Sequence, residues 1–247
     1  MNQPWQWMLF FIIGLLMSFK FLTFCVTKSP WTYLLFWVGT NPREFNSVRK
    51  RPVAFGEYLR ASMMLFSGLG IVLFVLPQVS HRQLAGALAF WAMILIFHFG
   101  LFHLNALFWQ SRGRAVKAIM NRPFQSITLR EFWGRRWNLA FRDLAWQMIF
   151  QPLKKYGTSK ASFAVYFFSG LIHDLVISFP ARAGYGLPTM YFLIQYFGGE
   201  IQKKSQWRGL QGRVFTWAVL ILPLPLLFHK PFLENVFLPL TQTLGVL

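Results

Sequence analysis

The feature that most constrains this chain is a series of long, nearly uncharged apolar runs separated by short basic segments. Six runs, at about 5–26, 58–76, 84–109, 161–179, 185–199 and 214–228, reach or approach the length needed to cross about 30 Å of hydrocarbon at 1.5 Å of helical rise per residue. In lipid, only a helix or a closed barrel satisfies its own backbone groups, and runs of this length are helical. An all-α, polytopic helical membrane protein is therefore expected, with about six spanning helices. The fifth run is short and is accommodated by tilt or a thinned bilayer. Two further apolar pieces, 31–39 and 144–153, are too short to cross and are expected to be re-entrant or interfacial. With no internal repeat and no linker, residues 1–247 are expected to form a single integral-membrane domain.

Composition supports this class. Hydrophobic residues make up 55% and charged residues 13%, with 29 Phe, 11 Trp and 7 Tyr, which excludes a disordered chain. The net charge of +18 suggests a nucleic-acid binder, but the basic residues alternate with apolar runs, so no nucleic-acid partner is expected. Cys25 is the single cysteine, which excludes an intrachain disulfide and any multi-cysteine metal site. Neither a metal nor a cofactor is expected.

The basic residues gather in alternate loops. Arg43, Arg49, Lys50, Arg51 and Arg60 follow the first run, and eight Arg and Lys between Arg112 and Arg142 follow the third. Lys154, Lys155 and Lys160 precede the fourth run; Lys203, Lys204, Arg208 and Arg213 follow the fifth. The opposite loops hold only His81, Arg82 and Arg182. By the positive-inside rule these basic loops are cytoplasmic and the N-terminus is outside. The first run has no cationic start and no cleavage site, so it reads as a retained helix, as in a bacterial inner-membrane protein. Most of the charge is thus topology and contact with membrane lipids. The dense cluster between Arg112 and Arg142 is also suited to attracting an anionic cytosolic substrate.

Ionisable residues within spans point to function. The run boundaries give His98, His103, His173 and Asp174. So few acids argue against a proton pump or cation-coupled carrier, and five histidines are too few for a membrane di-iron enzyme. His98 and His103 stand about 140° apart on a helix and read as structural. His173 lies mid-span, with Ser169 one turn earlier on the same face and Gly170 permitting a close approach. Asp174 points about 100° away, towards an Arg or a backbone group. A neutral imidazole in an apolar tunnel can act as a general base; taken alone, such a histidine is more often a packing residue than a catalyst.

The second constellation is Leu129-Arg130-Glu131-Phe132-Trp133-Gly134-Arg135-Arg136-Trp137-Asn138-Leu139. Thr128 and Glu131 have capping-box spacing, and the rings and arginines suit an interfacial helix.

Both segments resemble known signatures. Ser126–Leu139 (SITLREFWGRRWNL) and Phe167–Leu175 (FFSGLIHDL) are similar to the paired motifs of the wax synthase branch of the membrane-bound O-acyltransferase superfamily. A partial third match is Phe36–Phe45, with Val38 and Thr40 where the pattern has Pro and Met, and Gln151-Pro152-Leu153 also fits. The resemblance implies an acyltransferase using acyl-CoA as co-substrate and a hydroxyl-bearing lipid as acceptor. It gives His173 the catalytic role and Asn138 that of its partner. Arg130, Arg135 and Arg136 are then expected near the coenzyme A phosphates, with Trp133, Trp137 and Ser169 at the substrate. The acceptor stays open among a long-chain alcohol, a sterol, a diacylglycerol, and the hydroxyl of a glycan or secreted metabolite. A catalytically inactive lipid-binding or scaffold protein of the same fold is the alternative.

Overall fold

The computed structural model describes residues 3–27 and 29–245; Met1 and Asn2, at the terminus expected outside, lie beyond the described residues. Among the described residues no strand forms, and one isolated antiparallel pairing joins Val48 to Arg114. The chain is an all-α, multi-pass integral membrane protein, as the apolar runs require.

Helix α1 spans Pro4–Thr27, α2 Trp31–Phe36 and α3 Pro42–Asn46. Helices α4 and α5 are Phe55–Gln78 and Gln83–Ser111. Then come α6 (129–136), α7 (139–156) and α8, Thr158–Ala181. The last three are α9 (Leu187–Ser205), α10 (Gly209–Leu227) and α11 (230–243). Several helices widen locally to i→i+5 bonding. Two of these stretches, Phe132–Arg136 and Asp174–Ser178, fall in or directly after the two signatures. Such wide turns recur at functional sites because they re-aim side chains.

Among the described residues, five helices are long and apolar enough to cross a membrane: α1, α4, α5, α8 and α10. The remaining expected run, the fifth, is α9, 19 residues or about 28 Å long. Its last turns carry Glu200, Lys203 and Lys204, so only its first part is apolar. The piece 144–153 is not a separate short element: it is the interior of α7, which begins five residues earlier. Of 31–39 only Trp31–Phe36 is helical; Trp37 is extended and buried. Large apolar side chains such as Phe10, Ile13, Phe66, Phe74 and Leu222 face outwards. In water such faces aggregate, and in hydrocarbon they are the ordinary exterior.

Contacts divide the chain into two compact units, 1–15 with 122–239 and 16–121 with 240–247. The second unit has a core of Tyr33, Trp37, Phe45, Ala106 and Val116. Within it, Lys20 is buried on α1, its ammonium 4.8 Å from the Tyr33 ring centroid. It donates to the carbonyl of Tyr33 at 2.6 Å and to that of Trp37. Lys20 therefore joins the ionisable residues of the spans, which the run-length reading left out. A buried cation persists where carbonyls replace its water. His103 lies 3.5 Å from Glu57, which also pairs with Arg60, so this histidine belongs to an ion-pair cluster.

The first unit contains every candidate site residue. Its α8 and α9 meet backbone to backbone. A Cβ added at Gly170 would lie 2.5 Å from the Cα of Thr189, so only glycine permits this approach. Gln202 on α9 clamps the start of α6. Its Oε1 accepts the Leu129 amide at 2.9 Å, and its Nε2 donates to the carbonyls of Ile127 and Gly212 at 3.2 and 2.9 Å.

Candidate active site

The site is built on the break between α6 and α7. Thr128 caps α6 by accepting the Glu131 amide at 3.1 Å. Glu131 reaches back to the amide of Ile127 at 2.9 Å, completing the capping-box exchange one residue earlier than the usual partner. Arg136 grips the same carboxylate through Nε at 2.7 Å and a terminal nitrogen at 2.5 Å, and donates to the Arg122 carbonyl at 3.1 Å. Burial pushes the Glu131 carboxyl upward. The Ile127 amide and the Arg136 guanidinium together outweigh burial and hold it below the ordinary glutamate value. Phe132 packs in a core with Leu129 and Leu220, and the Trp137 ring stacks on it at 5.2 Å.

After Trp137 the chain turns at Asn138, which has left-handed backbone angles (φ 41°, ψ 61°), a conformation Asn tolerates better than most residues. Its side chain caps α7, with Oδ1 accepting the Phe141 amide at 3.2 Å. A backbone amide only donates, so the atom facing it is the oxygen. The other end of the carboxamide, the NH2, can therefore act only as a donor.

His173 sits on α8, with Nδ1 2.6 Å from the carbonyl of Ser169. A carbonyl only accepts, so Nδ1 carries the proton and Nε2 carries the lone pair. The imidazole stands against two rings. Phe141 meets it edge to face at 6.4 Å and 76°, and Phe192 of α9 lies at 4.5 Å and 45°. Phe141 also stacks on Phe168 at 6.5 Å. Trp133 packs on Phe192 at 5.4 Å and donates its indole N–H to Gln195 at 3.4 Å. The two sequence signatures thus converge on His173 by two routes, Asn138 through Phe141 and Trp133 through Phe192.

The other expected residues are distributed differently. The Ser169 hydroxyl donates to the Val165 carbonyl at 2.8 Å, and it is Ser169's carbonyl that holds His173. Arg136 is engaged with Glu131, whereas Arg130 and Arg135 are exposed. Asp174 meets backbone groups rather than an arginine, with Oδ1 accepting the Gly186 amide at 2.7 Å.

A second histidine–serine contact has a different character. His229 Nδ1 accepts the Phe232 amide at 3.2 Å, so Nε2 is the protonated nitrogen at the Ser178 hydroxyl, 3.2 Å away. The Ser178 hydroxyl in turn donates to the Gly184 carbonyl at 3.1 Å. A histidine donating to a serine does not activate it, so this is a clasp for α11 and not a nucleophile–base pair. Burial pushes the His229 imidazole below its ordinary value, with the Asp174 charge opposing.

Sequence reasoning missed Phe141, Phe192 and Gln195, the side chains that carry the two routes. Nothing in the local pattern separates them from the many other aromatic and polar residues.

Residues 116–195, which include both signatures and the whole cluster around His173, match the membrane bound O-acyl transferase family. That match covers about a third of the chain, and over it the chain is similar to this family. The chain is 27% identical to acyl-CoA–sterol O-acyltransferase 1 of Arabidopsis thaliana over 82 residues, 30% of this chain and 24% of that protein. It is 28% identical to the probable long-chain-alcohol O-fatty-acyltransferase 6 of Arabidopsis thaliana over 77 residues, 28% of this chain and 22% of that protein. A longer alignment, 23% identical over 257 residues, relates 89% of this chain to 72% of the probable long-chain-alcohol O-fatty-acyltransferase 8 of the same plant. The first two alignments thus span about a quarter of their relatives' length.

Proposed function

We propose that this chain is a membrane-bound O-acyltransferase that moves a fatty acyl group from acyl-CoA to the hydroxyl of a lipid or long-chain alcohol, with His173 as general base and Asn138 as its partner. The observation that carries this reading is the convergence of both signatures on one imidazole whose Nε2 bears the lone pair. The names of the similar proteins, a sterol O-acyltransferase and long-chain-alcohol O-fatty-acyltransferases, support an alcohol-type acceptor.

In the reaction, Nε2 takes the proton of the acceptor hydroxyl as its oxygen attacks the thioester carbon. The carbonyl oxygen gains negative charge, and the Asn138 NH2 donates to it; one such donor is typically worth about 3 kcal/mol. The tetrahedral intermediate collapses to the ester. The carbon–sulfur bond breaks, and the imidazolium returns its proton to the departing coenzyme A thiolate, which leaves as the thiol and restores the neutral base. No acyl-enzyme is formed, and Cys25 has no part in it. Exposed Arg130 and Arg135 are suited to the phosphates of coenzyme A. Aromatic walls such as Phe141, Phe168 and Phe192 hold the acyl chain at about 0.8 kcal/mol per buried methylene. Catalysis is then chiefly placement of two lipid-soluble reactants in a water-poor site. With the basic loops cytoplasmic and the N-terminus outside, the donor arrives from the cytosolic side.

The test is to supply the purified protein, in lipid nanodiscs, with radiolabelled long-chain acyl-CoA and a panel of hydroxyl acceptors. Labelled ester with a long-chain alcohol or a sterol is the expected result. No thioester consumption with any acceptor would favour a binding or scaffold protein.

A further inference from the structure

We propose that Asp174 is a positioning residue for the base beside it, an inference that rests on the general-base reading of His173 and deepens it. Asp174 follows His173 on α8 and points about 100° away, so its carboxylate engages α9 instead of the imidazole. Oδ1 accepts the Gly186 amide at 2.7 Å, and Oδ2 accepts the Thr189 amide at 3.2 Å and the Thr189 hydroxyl. These amides open α9, where a side chain at the preceding position normally caps the helix. Here that position is Gly186, at φ 83°, which has no side chain to offer. A carboxylate from the neighbouring helix does the capping, and negative charge is favoured at a helix N-terminus.

The consequence reaches the imidazole. One turn beyond Thr189 is Phe192, buried, with its ring 4.5 Å from that of His173. At the same level the Gly170–Thr189 approach leaves no slack between the two backbones. Asp174 and Gly170 together fix how α9 is turned about its own axis against α8, and that rotation keeps the Phe192 wall against the imidazole. The widened turn of α8 begins at Asp174, where the carboxylate is aimed at α9. A cap borrowed from the helix that carries the base ties the orientation of Phe192 to the position of His173.

The test is a double-mutant cycle in nanodiscs between Asp174→Asn and Phe192→Leu, reading turnover per acyl-CoA bound. Asp174→Asn keeps the size but loses one of the two acceptors. Thr189→Val removes only the hydroxyl and serves as a milder second variant. We expect Asp174→Asn to lower the single-turnover rate by about 10-fold to 100-fold, as misplacement of a reacting group does, with the Kd for acyl-CoA unchanged within about 2-fold. Because Asp174 acts through Phe192, the double variant should be no slower than the slower single. Thr189→Val should give a smaller loss that disappears on the Asp174→Asn background. Wild-type turnover by Asp174→Asn would overturn the proposal. So would losses that simply multiply, because a cap important only for folding is independent of Phe192. His173→Ala is the control beneath the cycle: if it turns over normally, the general-base reading falls. If it is dead while Asp174→Asn is fully active, only the positioning role falls.

Discussion

The ring of Phe141 stands edge-on to the imidazole of His173, 6.4 Å between centroids, while the amide of the same Phe141 is held by the side chain of Asn138. One residue therefore touches both halves of the candidate pair. The oxygen of Asn138 is used for structure, and its NH2 is the end suited to chemistry. This division of labour within one carboxamide is open to test by substitution.

Asn138→Asp keeps the cap and loses the donor. Asp and Asn cap helices about equally, so stability should change by less than about 0.5 kcal/mol. Turnover should fall by about 100-fold to 1000-fold, the usual cost of one lost oxyanion donor. Asn138→Ala should lose activity and also about 1 kcal/mol of stability, because the cap goes too. Thermal unfolding in detergent, read beside acyl transfer, separates the two effects. Equal losses of stability in both variants would contradict this assignment.

Gly170→Ala brings a methyl to within 2.5 Å of the Thr189 Cα, and backbone does not yield as a flexible side chain would. A destabilisation of about 1–3 kcal/mol is expected, with a matching fall in melting temperature. Gly199→Ala, on α9 with open space around the added carbon, should be neutral or slightly stabilising. Similar melting temperatures for the two variants would refute the close approach of α8 and α9.

Glu131 has a pKa below its ordinary value of 4.5, because the Ile127 amide and Arg136 outweigh burial. A carboxyl with a depressed folded-state pKa contributes stability that is complete above its unfolded value. That contribution is lost as the pH falls below about 4.5 and through the lower folded value. The wild-type melting temperature should therefore drop more steeply between about pH 5 and pH 3 than that of Glu131→Gln. Parallel pH profiles for the two proteins would show that the ion pair adds nothing.

Arg130→Gln with Arg135→Gln should raise the KM for acyl-CoA more than it lowers kcat, because phosphate contacts remote from the reacting carbon act on binding. Cys25→Ser should leave both constants unchanged. An unaltered KM in the double arginine variant would reduce these side chains to lipid anchors.

Much of the architecture is legible in the sequence because run length alone decides which segments cross a bilayer. The full extent of α7 is not legible because Arg142 and Asp143 interrupt its apolar run; within the helix the two pair with each other at 2.9 Å. The role of Lys20 is not legible because the carbonyls that accept from it, on Tyr33 and Trp37, come 13 and 17 residues later. His173 and Asn138 stand out only because each sits in a recognisable motif. Phe141 and Phe192 carry no signal among 29 phenylalanines, since what distinguishes them is a contact made by folding. The capping of α9 is likewise invisible, because its start lies at Gly186 and its cap lies twelve residues upstream on another helix.

The most direct measurement is acyl transfer by His173→Ala in nanodiscs, with acyl-CoA binding followed in the same preparation. Retained binding of acyl-CoA with no detectable labelled ester is the predicted result. Ester formation at the wild-type rate would remove the imidazole from the chemistry.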